Sequence, residues 1–357
     1  MIRRKLMENE YIIFLIVSLF IGFTYGVIAQ RKQFCFSGGI KDLILFSHTR
    51  RTASLIVAIA TVILFTQTFS YIYNIDLSAS KYYININYLF IILGGLMFGY
   101  GMMVADGCSS RHLIKLAQGE KESFYILISL AIFAYITYNL FQSFYASIYE
   151  NIIVSYTTFE SSFQIPYILA FILISFLLYK SLNRCMNIFQ CWDGFSIGVL
   201  ISLTWVFTSV VAVELFLDVK AQSLSFVYPL GKITEGFVTL NEEVINFGVL
   251  TVIGVLIGAF ISSKFNSQYS KKQMCDNSQQ NPPILIKKIV GGAFMGVGGI
   301  LAVGCTVGQG LSGISTLSFA SFLAIASIYV SAYFTAKKMK KDNALIACFV
   351  FDFDVKK

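Results

Sequence analysis

The chain has 357 residues, of which 56% are hydrophobic and 13% are charged, and its mean hydropathy is +0.71. Soluble globular domains carry about 25% charged residues, so this composition excludes a water-soluble globular protein. The net charge of +8 comes from basic residues beside apolar runs, which is typical of cytoplasmic loops and argues against nucleic acid as a partner. The seven cysteines show no Cys-x-x-Cys spacing, so we expect no thioredoxin-like site, no metal and no cofactor.

Apolar runs of about 20 residues recur along the chain, each long enough to cross a bilayer core of about 30 Å. They predict an all-α polytopic membrane protein with about nine transmembrane helices, near 11–30, 53–73, 87–106, 123–147, 162–180, 194–217, 244–263, 284–303 and 317–336. The first run has no small-residue cleavage site and is interpreted as a span, not a signal peptide. Shorter apolar segments at 34–46, at 109–118 and after Cys305 are expected to be re-entrant or interfacial helices.

Basic residues are concentrated after the odd-numbered spans, whereas the predicted loops at 74–86, 148–161 and 218–243 contain fewer of them. By the positive-inside rule, this distribution predicts an external N-terminus and a cytoplasmic C-terminus. Arg3, Arg4 and Lys5 run against this orientation. The lipid bilayer is therefore one expected partner of the chain.

Two stretches of the chain nearly repeat each other: GGLMFGYGMMVADGC, which ends at Cys108, and GGAFMGVGGILAVGC, which ends at Cys305. Aligned without gaps, they share seven identities, at Gly94/Gly291, Gly95/Gly292, Gly99/Gly296, Gly101/Gly298, Ala105/Ala302, Gly107/Gly304 and Cys108/Cys305. GFTYGV at 22–27 also resembles GFSIGV at 194–199. Corresponding spans lie five apart, so one transmembrane domain with two inverted pseudo-repeats is predicted, a transporter signature. The repeats cover about 11–147 and 190–336, with a polar loop at 264–283.

The two motifs each end in a cysteine that is followed by a small hydroxyl residue, in Gly107-Cys108-Ser109 and Gly304-Cys305-Thr306. The glycines alone are explained by close helix packing. A short helix starting after each cysteine, with Ser109 or Thr306 as its N-cap, would direct its N–H groups and positive dipole end toward one place. Two such ends predict a small anion site lined by thiols. A neutral thiol is polarizable and adds no charge repulsion, which suits passage of a sulfur-bearing anion.

These motifs, together with FCFSGGIKDL near the start and GCTVGQGLSG at 304–313, resemble the YeeE/YedE family of membrane proteins. The resemblance implies transport of thiosulfate or another small sulfur compound across the inner membrane of a bacterium, no enzymatic activity, and a cytoplasmic sulfur-carrier protein as partner. It assigns pore cysteines to Cys108 and Cys305, and the cysteine of the early loop motif to Cys35. For a further cysteine in the second half, Cys191 is a weak candidate. Asp106 departs from the small residue usual at its position.

Several interpretations stay open at this stage. Asp106 either faces water, pairs with Arg111, or acts on the substrate path, where an ionisable residue is costly. Gln309 either binds an oxyanion or packs between close helices, and His112 is expected at the surface. The main alternative function is a membrane thiol-disulfide oxidoreductase that pairs Cys108 with Cys305. The cargo could also be sulfite, sulfide or a selenium species.

Overall fold

The computed structural model describes residues 2–45, 49–149, 158–182, 191–211, 221–239, 245–269 and 282–342. Twelve α-helices occur in these ranges: α1 (Ile2–Lys32), α2 (Phe36–Leu45), α3 (Arg50–Tyr73), α4 (Tyr88–Val104), α5 (Ser109–Ala117), α6 (Lys121–Tyr149), α7 (Tyr167–Leu182), α8 (Trp192–Val206), α9 (Val227–Thr239), α10 (Phe247–Phe265), α11 (Pro282–Leu301) and α12 (Phe319–Lys341). Short strands β1 (Ile84–Asn87) and β2 (Thr158–Ser161) pair antiparallel. The fold is thus all-α and polytopic, as predicted.

Eight helical stretches of the described chain are long and apolar enough to cross a membrane. They correspond to eight of the nine predicted spans. The ninth prediction, at 162–180, coincides with α7, a helix of 16 residues whose apolar part is shorter than the others. Part of the predicted polar loop at 264–283 lies outside the described residues, and its first residues still belong to α10.

The predicted loop at 218–243 is wrong in one respect, because it contains α9. This helix has 13 residues and carries Pro229 and Gly231 near its start, so its sequence looked like a loop. Proline is tolerated there because the first turn of a helix needs no intrahelical N–H donor. Gly231 lies against Ala134 of α6, where an added Cβ would come 3.3 Å from the Ala134 Cβ.

Glycines bring α4 and α11 backbone to backbone in an antiparallel contact. A Cβ added at Gly101 would come 2.5 Å from the Gly291 carbonyl oxygen, and one at Gly298 would come 2.5 Å from the Gly94 carbonyl oxygen. The remaining glycines turn to other neighbours: Gly99 faces α12 and Gly296 faces α6. Both glycine motifs therefore serve close packing, as small residues do in membrane helices. This contact fixes the two helices that carry Cys108 and Cys305.

Candidate functional site

Three helices end in the same way, and each delivers a cysteine. In each, a residue with left-handed backbone is followed by one more residue and then by the cysteine. The three left-handed residues have φ near +60°: Gln33 (56°) before Cys35, Asp106 (66°) before Cys108 and Val303 (59°) before Cys305. The next amide closes a Schellman motif with the carbonyl five residues back, in Phe34 to Ala29 (3.2 Å), Gly107 to Met102 (3.0 Å) and Gly304 to Gly299 (2.8 Å).

Each cysteine occupies the N-cap position of the helical segment that follows it, and two of the three, Cys35 and Cys305, accept a hydrogen bond from a backbone amide of that segment. The Gly38 amide donates to Cys35 Sγ, and the Gly308 amide donates to Cys305 Sγ, both at 3.4 Å. Cys108 occupies the N-cap of α5, and its Sγ lies 3.3 Å from Ser110 Oγ. The expectation that Ser109 is an N-cap is therefore wrong, because Ser109 is already the first residue of α5. A side-chain acceptor at the cap satisfies amides that the helix leaves unpaired.

After Cys305 the chain continues as helical turns over 306–316, including a π-helical part at Gly308–Gly313. Its glycines allow this segment to lie close to neighbouring chains. A Cβ added at Gly308 would come 2.9 Å from Ser225 Oγ and 3.7 Å from Cys305 Sγ. Ser225 thus lies beside Cys305 just ahead of α9, much as Cys35 lies beside Cys108 just ahead of α2. Sequence reasoning missed Ser225, because it sought a cysteine.

Two of the predicted cysteines line one cavity. Cys35 and Cys108 face it together with Tyr25, Ser110 and Thr306, and their thiols contact each other. Cys108 also interacts with the Thr306 hydroxyl, which brings the residue after Cys305 against the first-half thiol. Cys305 itself is fully buried and does not line this cavity. The cavity holds about 10 Å³, room for roughly one water molecule.

Two buried hydroxyls beside the cysteines, Ser109 Oγ and Thr306 Oγ1, make no hydrogen bond to an oxygen or nitrogen atom in the described structure, and Thr306 interacts with the Cys108 thiol. A buried hydroxyl without a partner is energetically costly, so these groups are available to a bound ligand. Gln309 differs, because its amide nitrogen donates to the Ala302 carbonyl at 2.6 Å. That bond satisfies a carbonyl at the broken end of α11. A Cβ added at Gly107 would come 3.2 Å from Arg111 Cγ, and one added at Gly304 would come 3.2 Å from Gln309 Cγ. Both glycines therefore lie tightly against the helical residues that follow them.

A group of buried charges adjoins Cys108. Asp106 forms ion pairs with Lys41 of α2 and with Lys115 of α5, the latter at 3.0 Å from Nζ to Oδ2. Lys115 also lies 3.5 Å from a carboxylate oxygen of Glu120. Asp106 therefore does not face water: it joins α2 to α5 through two lysines. Its charge is neutralised within the protein.

Two residues of α5 next to this group are also buried. The Arg111 guanidinium donates to Gln33 Oε1. Gln33, the left-handed residue before Cys35, therefore contacts α5, the helix that follows Cys108. His112 is fully buried, with Nδ1 3.0 Å from Ser123 Oγ, so the prediction of a surface histidine is wrong. The strongly polar sequence of α5 suggested exposure, but α1, α6 and α10 enclose it.

The Cys305 end has a different environment. Lys81 and Tyr82, in the turn before β1, lie within electrostatic range of Cys305. Burial lowers the pKa of Lys81 to about 8, while the interaction with Cys305 opposes this shift. Burial likewise raises the pKa of Tyr82, so its hydroxyl keeps its proton. Neither residue was singled out from the sequence, where 74–86 was an ordinary loop.

The weak candidate Cys191 lies elsewhere. It is buried at the N-cap of α8 and is not among the residues that line the cavity. Cys185, Cys275 and Cys348 lie outside the described residues. Within the described ranges, no three His, Cys, Asp or Glu side chains are arranged to hold a metal ion.

Comparison with known proteins agrees with this architecture. A family model described as sulphur transport matches residues 31–334. The chain belongs to this sulphur transport (YeeE/YedE) family. A thiosulfate transporter, TsuA, of Spirochaeta thermophila is 23% identical over 318 residues, which cover 86% of this chain and 93% of that protein. TsuA of Escherichia coli K12 is 23% identical over 325 residues, covering 82% and 86%. A probable transporter of E. coli, YedE, is 23% identical over 104 residues, covering 29% and 24%.

Proposed function

We propose that this protein imports thiosulfate, or a closely related small sulfur-containing anion, through the inner membrane of a bacterium along a path past Cys305, Cys108 and Cys35. The observation that carries the proposal is the buried cavity in which the thiols of Cys35 and Cys108 meet Thr306, the residue after Cys305. Two relatives named as thiosulfate transporters support this choice of cargo.

The chemistry of the site suits a sulfur oxoanion. Its sulfur end would contact the polarizable sulfur atoms of Cys35 and Cys108, and its oxygens would accept hydrogen bonds from the hydroxyls of Ser109 and Thr306. The N-terminal end of α5 adds a positive partial charge close to Cys108. The nearby lysines Lys41 and Lys115 are already paired with Asp106, so the site attracts an anion without a fully exposed cation that would retain it.

The cavity must enlarge for transport, because a space of about 10 Å³ is too small for thiosulfate. The structure thus corresponds to a closed state of the proposed path. The elements that would move are the short helices that carry the capped cysteines, α2, α5 and the helical turns at 306–316. Each begins at a corner that is held by a Schellman motif rather than by a continuous helix.

We further propose that residues 11–147 and 190–336 form two inverted repeats. The antiparallel α4–α11 contact and the matching corners before Cys108 and Cys305 support this division. With the N-terminus outside and the C-terminus in the cytoplasm, Cys305 would lie toward the outside and Cys108 toward the cytoplasm. Reporter fusions at the C-terminus test the orientation: a reporter active only in the periplasm should stay inactive.

The test of the function is uptake of thiosulfate labelled in its terminal sulfur, in cells that lack their own uptake systems. Wild type is compared with Cys108→Ala and Cys305→Ala at matched membrane abundance. Cys191→Ala is the matched control, because Cys191 is also buried at a helix N-cap but lies outside the cavity. We expect uptake to be lost in the first two variants and retained in the control. Full uptake by Cys108→Ala would contradict the proposed path.

The oxidoreductase hypothesis makes a different prediction. It requires reversible oxidation of the cysteines, coupled to an electron acceptor. Absence of uptake by abundant wild-type protein, together with redox cycling of Cys108, would favour it. Absence of both would direct the same assay to sulfite, sulfide or selenium compounds as cargo.

A cytoplasmic sulfur-carrier protein remains the partner that we propose for the imported sulfur. Consumption of the anion on the cytoplasmic side would draw transport inward without nucleotide hydrolysis. Co-purification of such a protein with the full-length chain, and faster uptake when it is co-expressed, would support this partnership. Uptake that does not change on its co-expression or deletion would argue against it.

A further inference from the structure

Hydrogen bonds join the turn that carries Lys81 and Tyr82 to the chain at Thr316 and Ser318, at the end of the helical turns after Cys305. The Ser318 hydroxyl donates to the Tyr82 carbonyl at 2.7 Å, and the Tyr83 hydroxyl donates to the Thr316 carbonyl at 2.6 Å. The Tyr82 ring packs edge-on against Trp205, with 6.3 Å between ring centroids. These contacts hold the 81–83 segment in a fixed position at the Cys305 end of the molecule. A preorganised segment of this kind is what a binding site needs.

Three polar side chains at the Cys305 end, those of Lys81, Tyr82 and Ser225, have no polar partner in the described structure. The Tyr82 side chain is 1% exposed, and its hydroxyl has no hydrogen-bond partner. Ser225 is 5% exposed, and its hydroxyl is also without a partner. The half-buried Lys81 ammonium lies 5.3 Å from the centroid of the Tyr82 ring and forms no ion pair among the described residues. A buried hydroxyl and a partly buried cation without a partner in the protein are groups that can bind an anionic ligand.

We propose that Lys81 and Tyr82 form an anion-capture site at the Cys305 end of the path, where the oxygens of a sulfur oxoanion bind before or after its sulfur contacts Cys305. Lys81 supplies the compensating charge, and the Tyr82 hydroxyl donates a hydrogen bond. Ser225, beside Gly308, supplies a second hydroxyl on the way to Cys305. This inference rests on the proposed function, since it assigns the residues that receive the same cargo.

The electrostatics of the two ends explain why such a site is needed at this one. The cysteine at 108 is followed by Arg111 and Lys115 on its own short helix, whereas Gly308 and Ser312 occupy the same places after Cys305. The Cys305 segment therefore supplies thiol and amides but no cation. For an anion that leaves water at this end, the described residues offer Lys81 as a positive charge. Positive potential at the mouth of a path raises the local concentration of an anion.

Binding can be measured apart from transport. The chain contains two tryptophans, Trp192 and Trp205, so in full-length Trp192→Phe protein, purified in lipid nanodiscs, the emission reports on Trp205 beside Tyr82. Thiosulfate and sulfate are titrated as separate probes. We expect saturable emission changes with thiosulfate, about tenfold weaker apparent affinity when Lys81→Gln is added, and recovery with Lys81→Arg. Sulfate, which lacks the terminal sulfur of thiosulfate, tests whether the oxyanion group alone is enough for binding.

Tyr82→Phe is a second variant. A purely structural role for Tyr82 would not give the expected combination of weaker binding and undiminished thermal stability. The substitution keeps the ring against Trp205 and removes a hydroxyl without a protein partner. Apparent affinity for thiosulfate should therefore fall by about threefold while thermal stability stays equal or rises. Lys264→Gln is the matched control, because Lys264 also lies over an aromatic ring, 5.1 Å from the Phe260 centroid, at the end of another helix. It should change neither quantity.

The outcomes separate this inference from the proposed function. Equal thiosulfate affinities of the Lys81→Gln variant and the protein that keeps Lys81 would overturn the capture site. So would the absence of a saturable change in Trp205 emission with either anion. Absence of thiosulfate uptake by wild type, with a Lys81-dependent titration preserved, would overturn the transport proposal and leave the capture site standing. In cells, Lys81→Gln should raise the half-saturating thiosulfate concentration by about tenfold while the maximal rate stays within twofold.

Discussion

The regions around Cys108 and Cys305 share a backbone but not an electrostatic environment. Both cysteines follow a Schellman corner with one left-handed residue, and both cap a short helical segment. Around Cys108, a buried aspartate is held between two lysines. Around Cys305, Val303 takes the place of that aspartate, and the cation comes from the Lys81 turn.

This difference separates what the corner requires from what each end adds. The corner requires a helix end, a left-handed residue and a thiol at the start of the next helix. Charge is added by neighbouring segments, as fixed pairs at the Cys108 end and as one half-buried lysine at the Cys305 end. Substitutions at Asp106 and Val303, and the protonation of Lys81, test this difference between the two ends.

Asp106→Asn should destabilise the protein by about 3–5 kcal/mol, because it removes the anionic partner from two buried lysines. Asparagine tolerates left-handed backbone, so the corner itself should be kept. The measurement is the thermal denaturation midpoint of purified protein in detergent. Val303→Asn is the matched control at the uncharged corner and should change the midpoint little. Equal effects at the two corners would show that Asp106 acts through the backbone rather than through its charge.

The affinity for thiosulfate should fall as the pH rises through about 8, by about tenfold once Lys81 has lost its proton. Binding that needs the ammonium is complete below this pKa and lost above it. The titratable groups facing Lys81 are Tyr82, which stays protonated because burial raises its pKa, and Cys305. Titrations of Trp205 emission at several pH values check this.

Lys81→Arg serves as the control for that profile, since an arginine keeps its charge throughout the range. Its profile should be flat where that of wild type falls. Parallel profiles in the two proteins would assign the pH dependence to another group, such as Cys305, and would contradict the role given to Lys81.

Val303→Gly should stabilise the protein by about 1 kcal/mol, because a β-branched residue with φ of 59° carries a steric cost that glycine avoids. The denaturation midpoint should rise slightly, with thiosulfate uptake retained. Asp106→Gly, in contrast, should lower the midpoint, since the gain at the backbone is smaller than the loss of two ion pairs. A drop in both variants would indicate that neither corner is strained.

Much of the fold could be predicted because membrane spans depend on runs of apolar residues. The glycine motifs of α4 and α11 indicated that these helices pack closely against their neighbours, since backbone contact requires small residues at a helical spacing. The short helices after Cys35 and Cys108 were recognisable because they are too short to cross a bilayer. Cys35 and Cys108 were both named from the sequence, and the structure brings them together in one cavity.

The parts that sequence reasoning missed depend on contacts between distant segments. Nothing local in the sequence identifies Tyr82, whose position follows from hydrogen bonds to residues more than 200 positions away. His112 looked exposed because α5 is polar, although tertiary packing encloses it. Asp106 looked like a partner of Arg111 by proximity in sequence, but its lysine partner in α2 is 65 residues away. Ser225, which lies beside Cys305, was missed because the sequence was searched for a further cysteine and Ser225 carries a hydroxyl.

The most direct test of the central claim is to locate the cargo atom by atom. Selenosulfate, in which selenium replaces the terminal sulfur, can be co-crystallised with the full-length protein and located by anomalous scattering at the selenium edge. We predict a selenium peak in contact with Cys108 and Cys35 near Thr306, or beside Cys305, with the oxygens toward Ser109, Thr306 or Lys81. Bound selenosulfate whose selenium peaks all lie away from these cysteines would contradict this prediction.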